Sequence, residues 1–192
     1  GGSTGDLCQF SGLCSTDAHA GSTVRGSGHR MSSSPPKASP TNDGWTPLHI
    51  LCNNKDIVDS TAGDIMGLLL ERYPEAARRA ETSGALPIHF AGMSSKSLEY
   101  CRMLIEAYPE SERMTDSKGH VLLHLACRRN TVAVAEYLYK LYPESMYVAN
   151  GDGRYPIHHA IIRLISDTPA IAVEMVRFLL DCDSNAASQK LG

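Results

Sequence analysis

The amino-acid sequence predicts an all-α repeat protein, a solenoid of stacked helix–turn–helix units with short β-hairpin-like turns. Four histidines recur at intervals of 40, 35 and 34 residues, at His49, His89, His124 and His158. A glycine stands five residues before each histidine, and the tripeptide Tyr-Pro-Glu begins at Tyr73, Tyr108 and Tyr142. A unit of this length cannot bury its own apolar face, so neighbouring units must stack on one another.

These landmarks divide the chain into a tail and an array. Residues 1–40 are rich in Gly, Ser and Pro and poor in large apolar residues, so burial would not offset the entropy cost of ordering them. We therefore expect a flexible tail at 1–40 and a repeat array at 41–192. Within the array we expect unit one at 41–80, unit two at 81–115, unit three at 116–149, unit four at 150–188 and the start of a fifth unit at 189–192.

Each unit is expected to contain a glycine turn, a short first helix, a loop and a second helix. In unit one Thr46 is placed to cap the first helix through a backbone N–H, with Pro47 at the first helical position. Units two to four lack this cap. The second helices are expected to end at the tyrosine of Tyr-Pro-Glu, because the residue before a proline avoids helical backbone angles.

Units one and four are longer than the others between the histidine and the second-helix leucines. We expect insertions between their helices, near residues 53–64 and 163–172. Insertions in repeat proteins gather on one edge and can enlarge a binding surface, although neutral loop drift explains them equally well. On this interpretation, removing residues 59–63 leaves the melting temperature nearly unchanged.

Composition and charge narrow the possible partners. The net charge of −3 and the pI near 6.2 argue against a general nucleic-acid or membrane-surface binder, which needs a marked basic excess. No apolar run approaches the length of a membrane span. The six cysteines follow no disulfide-framework spacing, which favours a reducing location, cytoplasmic or nuclear.

Signatures of enzymes and cofactor sites are missing from the sequence. We find no phosphate-binding loop, no H-E-x-x-H, no G-x-S-x-G and no C-x-x-C, and we expect neither catalysis nor a cofactor. The repeated histidines lie along a stack and do not converge, so we expect no metal there. A zinc site from Cys8, Cys14, His19 and His29 is disfavoured because the spacings fit no usual zinc motif.

Four segments carry a resemblance to a known family. The stretches "DGWTPLHILC", "SGALPIHFAG", "KGHVLLHLAC" and "DGRYPIHHAI", each followed by a leucine-rich helix, resemble the ankyrin repeat. Tyr-Pro-Glu replaces the usual Gly-Ala helix ending, which suggests a divergent branch. The resemblance implies stacked hairpin turns, an inner helix layer lining a concave groove, and histidines that hydrogen-bond the backbone of neighbouring hairpins.

The resemblance also implies which side chains meet a partner. They lie just after the turn glycine and near the end of the first helix, where Ala85 and Ser94 hold equivalent positions. The candidate partner-binding residues are Trp45, Asn53, Asn54, Met93, Lys118, His120, Arg128, Arg129, Arg154, Ile162 and Arg163. Because units three and four are basic here, we expect an acidic or phosphorylated segment as the ligand, although a solvated charged face explains the arginines equally well.

The leading hypothesis is a non-catalytic protein–protein interaction module that binds a partner protein or peptide in its groove. Two alternatives remain open: a targeting or regulatory region of a larger enzyme such as a kinase, and a structural assembly subunit. The last helix is apolar on more than one side, at Ile171, Val176 and Leu180 among others. We therefore expect end-to-end self-association, or stacking on the fifth unit.

Overall fold

The computed structural model describes residues 42–164 and 169–189, with side chains up to residue 183. Within these ranges the chain forms eight α-helices, three short 3-10 helices and no β-strand, which confirms the all-α prediction. The α-helices are α1 (Pro47–Asn53), α2 (Asp59–Arg72), α3 (Pro87–Met93), α4 (Leu98–Ala107), α5 (Leu122–Arg129), α6 (Val132–Leu141), α7 (Pro156–Arg163) and α8 (Pro169–Gln189). The 3-10 helices are Pro74–Arg78, Pro109–Arg113 and Pro143–Tyr147.

The helices stack in two layers, as expected for a solenoid. The first helices of the units form one layer, in which α1 packs on α3, α3 on α5 and α5 on α7. The second helices form the other layer in the same order, from α2 to α8. The apolar core lies between the layers and runs through all four units, so each unit is buried by its neighbours.

The turn before each first helix is a tight hairpin built around a glycine. Gly119 has a φ of +73°, and a Cβ there would lie 3.0 Å from the Gly151 nitrogen of the next hairpin. Glycine is therefore required for both the backbone angle and the close approach. The hairpins are joined through their backbones, since the Gly151 N–H donates to the Lys118 carbonyl at 2.7 Å.

The Tyr-Pro-Glu motifs end the second helices as predicted. Tyr73, Tyr108 and Tyr142 are the residues that follow α2, α4 and α6, and each motif's proline opens a 3-10 helix. The tyrosine rings also join successive units. The guanidinium of Arg78 lies 5.2 Å from the centre of the Tyr108 ring, and that of Arg113 lies 4.7 Å from the centre of the Tyr142 ring.

The start of each first helix differs from the expectation based on Thr46. Its hydroxyl lies 2.8 Å from Nδ1 of His49, and its backbone N–H donates to the same nitrogen at 3.1 Å, so His49 takes part in the cap of this helix. In all four units the histidine ring accepts the backbone N–H three residues before it; His124, for example, accepts from Val121 at 3.2 Å. Units two to four therefore have their own local support at this end of the helix.

The extra residues of unit one form helix, which corrects the loop expectation. Helix α2 has 14 residues, whereas α4 and α6 have 10, and the additional turn begins at Asp59. Ala62 in this turn is fully buried, and the Asp59 carboxylate pairs with Lys96 of unit two at 3.2 Å. Removing residues 59–63 would break this contact between units, so we now expect a loss of stability.

Several sequence expectations fall outside the described residues. They are the tail at 1–40, the four candidate zinc ligands within it, residues 165–168 of the unit-four insertion, and 190–192 of the fifth unit. Of the helices that the structure describes, none is long and apolar enough to cross a membrane. The four cysteines in the described ranges are free thiols: Cys52, Cys101, Cys127 and Cys182.

Candidate functional site

The candidate partner-binding residues differ widely in exposure. Six are exposed: Asn53, Met93, Lys118, Arg128, Arg129 and Arg154. Three are half-buried: Trp45, Asn54 and Ile162. Two are buried: His120 and Arg163.

Arg163, a candidate partner-binding residue, is buried in the structure. Only 8% of the residue is exposed, and its guanidinium donates a hydrogen bond to the carbonyl of Asn130. Asn130 follows the last residue of α5, where backbone carbonyls have no partner within the helix. Arg163 therefore fastens α7 to the end of α5, a role that the repeat register alone could not reveal.

His120 is part of the unit-three hairpin. Its Nδ1 lies 2.9 Å from the Asp116 carboxylate, whose other oxygen accepts the backbone N–H groups of Lys118 and His120. Burial alone would raise the pKa of Asp116, but the hydrogen bonds from His120 and Lys118 lower it below its usual value. Asp116 is therefore a fixed carboxylate that sets the shape of the turn, and His120 is held beside it.

The candidates of unit one lie apart from the others. The ring of Trp45 packs on Phe90 of unit two, with 4.6 Å between the ring centres. The side-chain oxygen of Asn54 accepts the backbone N–H of Asp56 at 2.8 Å and so builds the loop after α1. Trp45, Asn53 and Asn54 line a shallow cleft of about 420 Å³.

Five candidates from units two and three converge on one cleft. Met93, Lys118, His120, Arg128 and Arg129 line a space of about 370 Å³ between the hairpin turns and the ends of α3 and α5. We call this space the basic cleft. Its remaining lining residues are Ser83, Ala85, Phe90, Asp116, Ser117 and Leu125. Arg154 and Ile162 do not line it.

The charges of the basic cleft favour an anion. Lys118, Arg128 and Arg129 are exposed, and none of them forms an ion pair within the described part of the chain. The one carboxylate in the lining, Asp116, is already paired with His120. Three positive charges are thus available to a negatively charged ligand, and the arginines can each offer two parallel hydrogen bonds.

Contacts from both neighbouring units hold the end of α5. The Ser95 hydroxyl donates to the Arg129 carbonyl at 2.5 Å, and the Asn130 amide donates to the Lys96 carbonyl at 3.1 Å. Arg163 donates to the Asn130 carbonyl from the other side. The backbone that carries Arg128 and Arg129 is therefore fixed, which lowers the ordering cost of binding.

A second cleft, of about 700 Å³, lies between α2 and α4 in the other helix layer, and sequence reasoning missed it. Its lining includes the carboxylates of Asp59, Asp64, Glu71 and Glu99 and the exposed side chain of Leu68. The extra turn of α2 supplies one wall. The repeat register could not indicate this cleft, because it depends on the insertion forming helix.

Comparison with known proteins identifies the repeat. A family model described as ankyrin repeats (3 copies) matches residues 88–190, which is more than half of the chain. No curated protein matches the sequence. The matched region contains the basic residues Lys118, Arg128 and Arg129. The helix pairs, the glycine hairpins and the stacking histidines agree with that match, and the chain belongs to the ankyrin repeat family.

Proposed function

We propose that this ankyrin array is a non-catalytic module that binds an acidic or phosphorylated segment of another protein in the basic cleft. Ankyrin repeats are generally protein–protein interaction modules and are typically non-catalytic. The observation that carries the proposal is the convergence of Lys118, Arg128 and Arg129, without ion-pair partners, on one cleft. The exposed Arg154 and the half-buried Ile162 lie outside that cleft and are given no part in binding the segment.

The proposal predicts how binding responds to salt and to mutation. Exposed charges attract a ligand over a distance of about 8–10 Å at moderate salt, so association slows as ionic strength rises. A desolvated pair between an arginine and a carboxylate or phosphate contributes more, because both groups form charge-assisted hydrogen bonds. Losing Arg128 and Arg129 together should therefore weaken binding and reduce its dependence on salt.

The test compares proteins captured from a cell extract by immobilised wild type and by the double variant Arg128→Glu/Arg129→Glu. The matched control is Arg72→Glu/Arg79→Glu, which changes the charge equally at exposed positions outside the cleft. Quantitative mass spectrometry should show partners that wild type and control retain and the cleft variant loses. Circular dichroism must show that all three proteins are folded.

Two results would contradict the proposal. In the first, the cleft variant and the control lose the same partners, so that only overall charge matters. In the second, a purified partner binds the cleft variant with unchanged affinity and unchanged salt dependence. Either result would move recognition away from the basic cleft.

A second candidate function is assembly through the open face of unit four. Tyr155, Ile161 and Leu164 are 42–47% exposed on this face. Single exposed apolar residues are ordinary, but a group of them on one stacking face marks an interaction surface. We propose that the chain self-associates through this face, and the variant Ile161→Glu tests the proposal.

A further inference from the structure

The first helix layer carries a series of side-chain pairs between units. At two of the interfaces between units, the residue after the turn glycine packs on the residue that follows the stacking histidine of the next unit. Trp45 packs on Phe90 with 4.6 Å between ring centres, and His120 packs on His159 with 5.1 Å between ring centres. Aromatic pairs at such distances are favourable beyond the area that they bury.

Between units two and three this pairing lacks a ring. Ala85 follows the turn glycine of unit two. Leu125 follows His124, the stacking histidine of unit three. Both residues line the basic cleft, at 8% and 4% exposure. The cleft is thus located where Ala85 replaces the ring that Trp45 and His120 provide in the adjacent units.

The walls of this gap are apolar and suit an aromatic ring. Phe90 and Met93 line it from unit two, and Leu125 lines it from unit three. Met93 is 46% exposed although it is a large apolar side chain. A methionine sulfur and a phenylalanine ring both make favourable contacts with a third ring. Arginines at the rim can also pack on its face.

We infer that the partner segment inserts an aromatic side chain beside Ala85 and places an acidic group against Arg128 and Arg129. This inference rests on the proposed function, which supplies the acidic group, and it adds the aromatic residue as the second part of the ligand. The partner ring lies over Leu125 in the way that the Trp45 ring lies over Phe90.

Helix geometry sets the spacing between the two parts of the ligand. Leu125 lies three residues before Arg128 and four before Arg129 on α5, so the three share one face, with about 5–6 Å between their Cβ atoms. An extended segment advances about 3.3 Å per residue. The acidic residue is therefore one or two positions from the aromatic residue.

The experiment uses the full 192-residue chain and three synthetic pentapeptides. The first has phenylalanine between two pairs of glutamates, the second has alanine at the centre, and the third has phenylalanine between two pairs of phosphoserines. Binding is followed by NMR, with the amide resonances of Ala85, Met93 and Leu125 as reporters. The two phenylalanine peptides should bind about tenfold or more tightly than the alanine peptide, because only they bury a ring. The third peptide shows whether carboxylate or phosphate is preferred.

The variant Ala85→Trp tests the gap directly. It introduces the residue that unit one has at this position, and the new ring should fill the cleft beside Leu125. The variant should bind all glutamate peptides with the affinity of the alanine peptide. Ala80→Trp, at an exposed position outside the cleft, is the control and should behave as wild type.

The outcomes separate this inference from the proposed function. In one outcome the phenylalanine and alanine peptides bind equally well, and Arg128→Glu/Arg129→Glu binds neither. That outcome would overturn the inference of an aromatic residue and support the acidic ligand. In another outcome neither this double variant nor salt changes the affinity for the phenylalanine peptide. That outcome would overturn the proposal of an acidic ligand and support the aromatic residue. If no peptide shifts the reporter resonances, both are wrong. The comparison of the two glutamate peptides on wild type stands even if Ala85→Trp does not fold.

Discussion

Units three and four present the same face to different surroundings. His124 of unit three is fully buried, and its Nε2 donates to the Arg154 carbonyl of unit four at 3.0 Å. His158 holds the same position in unit four, but it is exposed, and its Nδ1 accepts the Tyr155 N–H at 3.0 Å. Within the described ranges, its Nε2 has no hydrogen bond to a following hairpin. The local contact is thus shared by the two histidines, whereas of these two His124 alone contacts the next unit within the described residues.

The neighbouring positions repeat this difference. Cys127 of unit three is completely buried, and Ile161, three residues after His158, is 47% exposed. Val121 is 2% exposed, and Tyr155 at the equivalent position is 42% exposed. Burial in this chain is therefore a property of two adjacent units together. The stability of each position should depend on whether a neighbour covers it.

The largest effect is expected from replacing the covered histidine. His124→Ala removes the hydrogen-bond partner of the buried Val121 N–H and of the Arg154 carbonyl, and it leaves a cavity. It should lower the free energy of unfolding by about 2–4 kcal/mol. His158→Ala removes one exposed contact and should cost less than about 1 kcal/mol. Urea unfolding followed by circular dichroism measures both, and equal losses would refute the comparison.

The interface between units three and four also contains a cluster of buried histidines. The ring centres of His120, His124 and His159 lie 5.1–5.6 Å apart. Nδ1 of His159 is buried and has no hydrogen-bond partner among the residues that the structure describes. Burial, together with repulsion of a positive charge by His124, His120, Arg128 and Arg154, lowers the pKa of His159 to about 4. The interface therefore tolerates only the neutral ring.

The next largest effect is a loss of stability at mildly acidic pH. The ordinary pKa of 6.5 applies to His159 in the unfolded chain, so below this pH the unfolded chain binds a proton that the folded chain does not. Stability should fall between about pH 6.5 and 4, by roughly 2–3 kcal/mol at most from this residue. Burial also lowers the pKa of His124, which adds to the fall.

The variant His159→Phe isolates this contribution. Phenylalanine is the residue at the same position of unit two, Phe90, and it cannot be protonated. Thermal unfolding at pH 7.5 and 5 should show a smaller difference for the variant than for wild type. A pH dependence that is as steep in the variant would show that other groups cause the acid loss.

Features fixed by the repeat period could be predicted from the sequence. His124 stacks on the next hairpin, Gly119 needs a positive φ, and Tyr142 ends a helix, because each role recurs in register and follows from local backbone chemistry. The resemblance also placed Arg128 and Arg129 near one groove, and both residues are exposed in the structure. Their part in binding a partner stays a prediction.

Features that depend on one particular neighbour could not be predicted. Arg163 is buried because Asn130 of the preceding unit offers it a carbonyl, and no other unit has this pair. Asp59 begins an extra helical turn and pairs there with Lys96 of unit two. The gap at Ala85 depends on the rings that Trp45 and His120 supply at the equivalent positions of the adjacent units.

A smaller effect should distinguish two turn glycines. Gly119 and Gly153 have nearly the same φ, +73° and +74°, so alanine suffers the same backbone strain of about 1–2 kcal/mol at either. A Cβ at Gly119 would also lie 3.0 Å from the next hairpin, whereas a Cβ at Gly153 would meet no described residue within 4 Å. Gly119→Ala should therefore cost about 1–2 kcal/mol more than Gly153→Ala in chemical unfolding. No difference would mean that the hairpins separate easily.

A substitution on the open face of unit four should have the smallest effect on stability and a large effect on assembly. Ile161, Tyr155 and Leu164 are exposed there, and a cleft of about 240 Å³ lined by Tyr147, Leu179 and other apolar residues lies beside them. We predict that the 192-residue chain self-associates through this face, since two such faces can bury each other's apolar groups.

Ile161→Glu tests this last prediction, because a carboxylate cannot be buried in an apolar contact without a partner. The variant should be monomeric in sedimentation equilibrium at concentrations where wild type associates, while its free energy of unfolding changes by about 0.5 kcal/mol or less at low protein concentration. Val58→Glu is the control: Val58 is 70% exposed, lies in unit one, and its replacement should leave association unchanged.

A wild-type chain that stays monomeric at several hundred micromolar, or an Ile161→Glu variant that associates as wild type does, would show that the open face is not an assembly surface. In that case exposure on unit four would reflect only the lack of a covering unit in the described residues, and the contrast between His124 and His158 would stand without a partner.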